Sequence, residues 1–292
     1  YSDLGKAFLS FLSTIVRFAL DKSFAGINFL FGDLAVVSDS GFIFVIQVLC
    51  PVIFFSSLMS VLYYIGVMQK LIAILGGFIR RIVGVTEAES ANATANIFVG
   101  QTEAPLIVRP YINRMTQSEL FAVMTGGLAS IAGAVLAGYA SMGVELKYLI
   151  AASFMAAPGG LLMAKIIKPE TEIPDERAED VKFDDEEEPV NVIDAAAGGA
   201  LTGMKLALNI GAMLVAFIAL IALLNGIIGG TAGIFGFEGL TLEKILGWVL
   251  APLAWVMGTP WTDAVSVGSL IGQKLVLNEF VAYVEFVKIK DT

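Results

Sequence analysis

Three long stretches without a charged side chain, residues 40–69, 120–144 and 206–237, limit this chain more than any other feature. Each exceeds the roughly 20 residues a helix needs to cross the hydrocarbon core of a bilayer. A fourth apolar run, 148–164, is shorter and holds Pro158, Gly159 and Gly160. It can cross if its flanks contribute. One such run could be the buried core of a soluble protein, but four in one chain argue against that. The composition agrees: 57% of the residues are hydrophobic and the mean hydropathy is +0.81, against about 45–50% apolar residues in soluble domains. The fold class is therefore all-α, a polytopic membrane protein.

Two further regions are apolar but interrupted. The first, 90–108, carries Gln101, Thr102 and Glu103 between Gly100 and Pro105. The second, 245–284, carries Asp263, Lys274 and Glu279. A carboxylate at the centre of a membrane helix costs roughly 2.5 kcal/mol or more, so a chain that keeps one there has a use for it. Gly and Pro break a helix and leave backbone groups free to bind. Paired, broken apolar segments in the two halves of a chain are the sequence signature of a transporter binding site. An ordinary surface-loop carboxylate is the other reading of Glu103. For Glu279, with Lys274 and Glu285 nearby, the other reading is a membrane-interface marker.

The formal charge of −9 is local. Residues 170–188 contain 11 acidic and two basic side chains, Arg177 and Lys182, leaving 16 of each sign elsewhere. Such a segment reads as a solvated linker. Arg80, Arg81, Arg109 and Arg114 flank the Glu103 region, and Lys165 and Lys168 follow the short fourth run. By the positive-inside rule the Glu103 hairpin and the acidic linker face the cytoplasm, and the Glu279 hairpin opens outward. Two hairpins entering from opposite faces make an inverted repeat.

Other chemistry is sparse. The chain has no His and one Cys, Cys50. His-based catalysis and an internal disulfide are excluded, and no nucleophile–base set, phosphate loop or basic nucleic-acid surface is present. The chain reads as no enzyme, and no cofactor-binding motif is present. Leu4, Phe8, Phe11, Leu12 and Ile15 recur at helical spacing beside Lys6 and Arg17, which suits an amphipathic helix along a membrane surface.

The segment Gly100 to Pro105, the triplet Asn278, Glu279 and Phe280, and the run Ala132 to Tyr139 resemble the concentrative nucleoside transporters, close to the bacterial sodium-coupled members. The likeness extends over almost the whole chain, including the acidic linker and the sequence from Asn191 to Gly199 that follows it. Family members run longer at both ends, so the first membrane helices and the last ribose-contacting ones are expected outside this sequence.

The resemblance implies a transport domain bearing two re-entrant hairpins and a separate scaffold domain. Its implied layout is an interfacial segment 1–39, a first scaffold helix and connector 40–82, a first hairpin 83–117, and transport-domain helices 118–168. A cytoplasmic linker 169–193, a long scaffold helix 194–240 and a second hairpin 241–292 follow. It further implies that Gln101, Thr102 and Glu103 hold the nucleobase, Val135 and Leu206 pack on it, and Asn278 and Glu279 meet the ribose. Sodium falls to Asn96, Val99, Ser130 and Ile131, the Val and Ile through backbone carbonyls. An all-oxygen set suits a hard cation. Helix-packing glue is the alternative reading of Asn96 and Ser130. The implied function is sodium-coupled symport of nucleosides such as uridine, pyrimidine and also purine, by a homotrimer in the bacterial inner membrane. No nucleic acid is involved. Proton-coupled nucleoside transport and a non-transporting nucleoside-binding membrane protein are the two other readings.

Overall fold

A computed structural model describes residues 3–36, 41–101, 103–175, 189–234, 236 and 239–290. No strand occurs among them. The chain divides into two units, Tyr1–Ala207 and Leu208–Thr292.

The first unit opens with α1, Asp3–Phe31. Its length is about 43 Å at 1.5 Å per residue. One face packs inward through Leu20, which joins Phe55 and Ala137 in a buried cluster, and through Ile27, which joins Ala35 and Ile46. Phe8, Phe11, Ile15, Phe18 and Phe29 stay exposed on the other face. The inward face of the helix is thus part of the core. Among the described residues four helical segments have the length and apolarity to span a membrane: α2 (Val45–Tyr64, with a π-wound first turn), the pair within Gln117–Ser141, Leu146–Ile167 and Val192–Ile234.

The apolar run 40–69 does not form one helix. It breaks at Gly66, whose φ of 78° suits glycine, and restarts as α3, Val67–Val83. This helix is amphipathic: Met68, Ile72 and Gly76 are buried, while Ile74, Phe78 and Ile82 face out. Next comes the half-helix α4, Glu87–Ala95, capped by a reciprocal Thr86–Glu89 box. A non-helical tip leads into the single turn α5, Ala104–Ile107, and the 3₁₀ segment Arg109–Arg114. The span Gln117–Ser141 is then two helices, α6 (Gln117–Ala129) and α7 (Gly133–Ser141), with extended backbone at Ser130 and Ala132 between them. A second capping box, Thr116 with Glu119, starts α6. The span α8, Leu146–Ile167, completes the set and keeps Pro158 inside it.

The long helix α9, Val192–Ile234, begins in the first unit and continues into the second. Its start lies against α2. A Cβ on Gly199 would sit 2.6 Å from Ser60 Cβ, and one on Gly203 would sit 2.7 Å from Ser56 Cβ. Ser57 Oγ donates to Ala196 O at 2.8 Å. Small residues let two apolar helices approach closely where water gives no drive to associate.

In the second unit, α10 (Leu242–Val256) is a separate helix ahead of the hairpin, so the segment 241–292 is not hairpin throughout. Asn225 of α9 holds its start: Asn225 Oδ1 accepts from Leu242 N at 2.7 Å, and Nδ2 donates to both Glu243 oxygens at 3.1 and 3.0 Å. The hairpin proper is α11 (Ala264–Val276) and α12 (Glu279–Ile289). Helices α10 and α11 approach through Gly247, Gly268 and Gly272, where added Cβ atoms would meet neighbours at 2.7, 2.7 and 2.6 Å. The order of elements therefore recurs: long span, surface-type helix, half-helix, break with a Glu, half-helix. Most of the acidic linker, 176–188, lies outside the described residues, as does Thr102.

Candidate functional site

The first hairpin tip is built by two helix ends. Helix α4 stops at Asn96, and the chain turns back on it through Ile97 N to Thr94 O at 3.1 Å, with Phe98 N and Val99 N both donating to Ala95 O at 2.9 Å. Helix α6 stops at Ala129, and its last turn faces the same place. Ser130 Oγ donates to Asn96 Oδ1 at 3.3 Å and to Gly127 O at 3.2 Å. Across the break, Gly133 N donates to Phe98 O at 3.1 Å. A Cβ on Gly133 would lie 2.1 Å from that carbonyl, so only glycine permits the approach. Two helix C-termini, each with partial negative charge, meet around a buried amide and a hydroxyl.

Asn96 is 1% exposed and Val99 3%. Ser130 and Ile131 are half-buried. The structure thus brings Asn96 and Ser130 into hydrogen-bond contact, with Val99 and Ile131 adjoining them in the chain. No cluster of three or more His, Cys, Asp or Glu side chains able to hold a metal occurs among the described residues. The donors here are neutral oxygens, which fit a monovalent hard cation rather than a divalent or transition metal.

Beyond the cluster, Gly100 O receives both Glu103 N at 3.1 Å and Ala104 N at 3.0 Å. Glu103 sits at the N-cap of α5 but makes no side-chain capping bond, so its carboxylate is not consumed there. Gln101 and Glu103 are exposed at the tip, and Gly127 leaves room for Gln101, whose Cβ would lie 3.0 Å from an added methyl. Val135 is buried in α7, while Leu206 is half-buried on α9. Tyr63 of α2 packs against the cluster containing Val99 and Ala104, and its buried hydroxyl has no hydrogen-bond partner. Sequence reasoning missed Tyr63, since nothing in an apolar run separates it from its neighbours.

In the second unit the α11–α12 break falls at Leu277 and Asn278. Asn278 is extended, and its Oδ1 accepts from Val281 N at 3.0 Å. That oxygen is thereby engaged as a helix cap, leaving the amide NH₂ as its donor group. Glu279, the first residue of α12, is exposed.

Sequence reasoning also missed a buried charged group. Glu89 is 1% exposed and pairs with Lys165 of α8 at 2.5 Å. Lys165 also donates to Ser118 Oγ at 2.9 Å, and Glu170 accepts from Thr116 Oγ1 at 2.7 Å. The Thr-x-x-Glu spacing of a capping box was the available signal for Glu89.

A model for the C-terminus of Na+ dependent nucleoside transporters matches residues 148–292, and a nucleoside-recognition gate model matches 45–145. An uncharacterized transporter of Haemophilus influenzae is 56% identical over 99% of this chain and 69% of its own length. The nucleoside permease NupC of Helicobacter pylori is 49% identical over 98% of this chain and 68% of its own. The solved structure of CNTnw in an inward-facing, substrate-bound state is 58% identical, with a TM-score of 0.91 over 99% of this chain and 69% of that one. An outward-facing structure of the same protein gives 0.94 at 59% identity, with the same two coverages. The chain belongs to the concentrative nucleoside transporter family, a family of membrane transporters rather than enzymes.

Proposed function

We propose that this protein is a sodium-coupled nucleoside symporter working by alternating access. The observation that carries the reading is the meeting of the α4 and α6 C-terminal ends at Asn96 and Ser130, beside a tip that presents Gln101 and Glu103. Asn96 Oδ1 and Ser130 Oγ, with the carbonyls of Val99 and Ile131, hold the sodium. Ser130 keeps Gly127 O as an acceptor for its proton, so its oxygen lone pairs stay available to a cation. Gln101, Thr102 and Glu103 supply the donors and acceptors that a nucleobase edge requires, with Val135 and Leu206 packing on its faces. Glu279 accepts from ribose hydroxyls, with Asn278 beside it.

The coupling follows from shared backbone. The residues that hold the cation and those that read the base are the two sides of one short tip, and Phe98 O pins that tip to Gly133. A cation that fixes Asn96 and Val99 also fixes Gln101 to Glu103. Nucleoside affinity then rises with sodium and, by linkage, sodium affinity rises equally with nucleoside. The α2–α9 contact through Ser56, Ser57, Ser60, Gly199 and Gly203 supplies the fixed scaffold, and a homotrimer in a bacterial inner membrane is the assembly that goes with it.

The test is uridine uptake by the full-length protein in proteoliposomes, with and without an inward sodium gradient at fixed pH. Sodium-driven accumulation is expected. Uptake driven by a proton gradient and indifferent to sodium would overturn the coupling, and no uptake by folded protein would overturn transport.

A further inference from the structure

Asn92 is the buried polar side chain closest in sequence to the Asn96–Ser130 pair on the same face of α4. It is 1% exposed, in the last turn of the helix. Its Nδ2 donates to Val123 O of α6 at 3.3 Å. Its backbone carbonyl accepts from Asn96 Nδ2 at 3.1 Å and from Asn96 N at 3.0 Å. Both amides face Gly126, where an added Cβ would lie 3.4 Å from Asn92 Nδ2 and 3.5 Å from Asn96 Nδ2. The remaining atom, Asn92 Oδ1, is buried with no hydrogen-bond partner.

A buried acceptor left unpaired is destabilising, and such an atom in a native fold calls for a water, an ion or a function. The surroundings favour a cation. Val123 O and Asn92 O already accept from the Asn92 and Asn96 side-chain amides, so those two donors are spent and Asn92 Oδ1 is the acceptor left open. Asn92 lies in the last turn of α4, where partial negative charge attracts cations. On the same face, Glu89 lies a further turn away, paired with Lys165 at the end of α8. Glu89, Asn92 and Asn96, all 1% exposed, recur at helical spacing and form one buried polar file along α4.

We infer that Asn92 Oδ1 is a second oxygen contact for the coupling cation, one helical turn (about 6 Å) from Asn96 along α4. This rests on the sodium reading given above. The tip site reads the ion together with substrate, whereas the Asn92 position is reached without nucleoside.

The test is thermal unfolding of purified full-length protein titrated with sodium chloride against choline chloride, without nucleoside, followed by nucleoside binding at saturating sodium. Asn92→Leu is expected to raise the sodium midpoint at least tenfold, with nucleoside affinity at saturating sodium changed less than twofold. Asn92→Asp, which keeps the shape, is expected to lower that midpoint and to make it fall further as pH rises, because a proton then competes with sodium for the carboxylate. Asn92→Asp also serves if Asn92→Leu does not fold. Folded variants with unchanged sodium midpoints would overturn the inference. So would equal weakening by both variants without pH dependence, the signature of a packing role. If wild-type protein itself shows no sodium stabilisation, the coupling reading fails and this inference falls with it. A wild-type response with unaltered variants sinks the inference alone.

Discussion

Lys165 Nζ lies 2.5 Å from a Glu89 carboxylate that is only 1% exposed, tying the end of α8 to the start of the hairpin arm α4. Glu89 also accepts from Thr86 N at 3.1 Å, so one side chain caps the arm and anchors it to a spanning helix. Removing one partner strands a buried charge, which costs about 3–5 kcal/mol when the pair is fully buried. Lys165 is 25% exposed, so the lower end applies. Lys165→Met should therefore lower the unfolding temperature clearly in a detergent melt, and Glu89→Gln in the same background should restore part of the loss. Equal melting of Lys165→Met and wild type would show that the pair contributes nothing.

Glu103 is free of capping duty at the α5 start. Hydrogen bonds to a charged group contribute about 1.5–3 kcal/mol each, or roughly 10- to 100-fold in affinity. Glu103→Gln should abolish uridine uptake at substrate levels that half-saturate the wild type, without lowering the melting temperature. Wild-type transport by that variant would remove Glu103 from the site.

Asn96 and Ser130 share a 3.3 Å hydrogen bond at the α4 and α6 ends. Truncating either to Ala deletes one neutral oxygen, and an interaction of about 1.5 kcal/mol corresponds to about tenfold. Each single variant should raise the sodium concentration for half-maximal uptake by about that factor. The double variant should be non-additive, because the two oxygens touch. An unchanged sodium dependence in both would reject the cation assignment.

The four spanning helices were legible in the sequence because length and absence of charge are properties of a single segment. Glu103 and Glu279 were legible because a carboxylate in an apolar run stands out. What escaped depends on neighbours or on backbone geometry. The run through Ile65 and Val67 stays apolar across the turn at Gly66, so hydropathy does not mark where α2 ends. Helix α10 was absorbed into the second hairpin because apolar segments lie on both sides of the short turn 257–263 and the sequence alone does not say which of them pair. The burial of Glu89 requires Lys165 from a distant helix, and the unpaired oxygen of Asn92 is visible only once α6 is packed against it.

Gly133 tests whether the broken helix α6–α7 must stay pinned to the tip. Its Cβ would fall 2.1 Å from Phe98 O, a backbone atom that cannot swing aside. Overpacking of this kind costs about 1–3 kcal/mol. Gly133→Ala should lower the melting temperature and weaken sodium and nucleoside together. Gly159→Ala, where nothing lies within 4 Å, is the control expected to leave both unchanged. Equal behaviour of the two would show that the Phe98–Gly133 contact does not hold the site.

Glu170 follows the end of α8, outside the spanning segments, and its carboxyl titrates below the usual range. Partial burial pushes the other way, but the Thr116 hydroxyl, the Glu172 N–H, the Lys165 ammonium and the Thr171 N–H together outweigh it. A group with a depressed folded-state pKa stabilises the fold above its unfolded-state pKa, and that contribution is lost as pH falls through the folded value. The unfolded reference for Glu is about 4.3. Glu170→Gln should therefore melt slightly below wild type at neutral pH, the effect being small because the carboxylate lies outside the spanning segments, where water and salt screen its charge. The two melting curves should converge well below about pH 4, where the wild-type carboxyl has also taken up its proton. A difference that persists unchanged into acid would mean that the shape of the side chain, and not its charge, holds the linker start against Thr116.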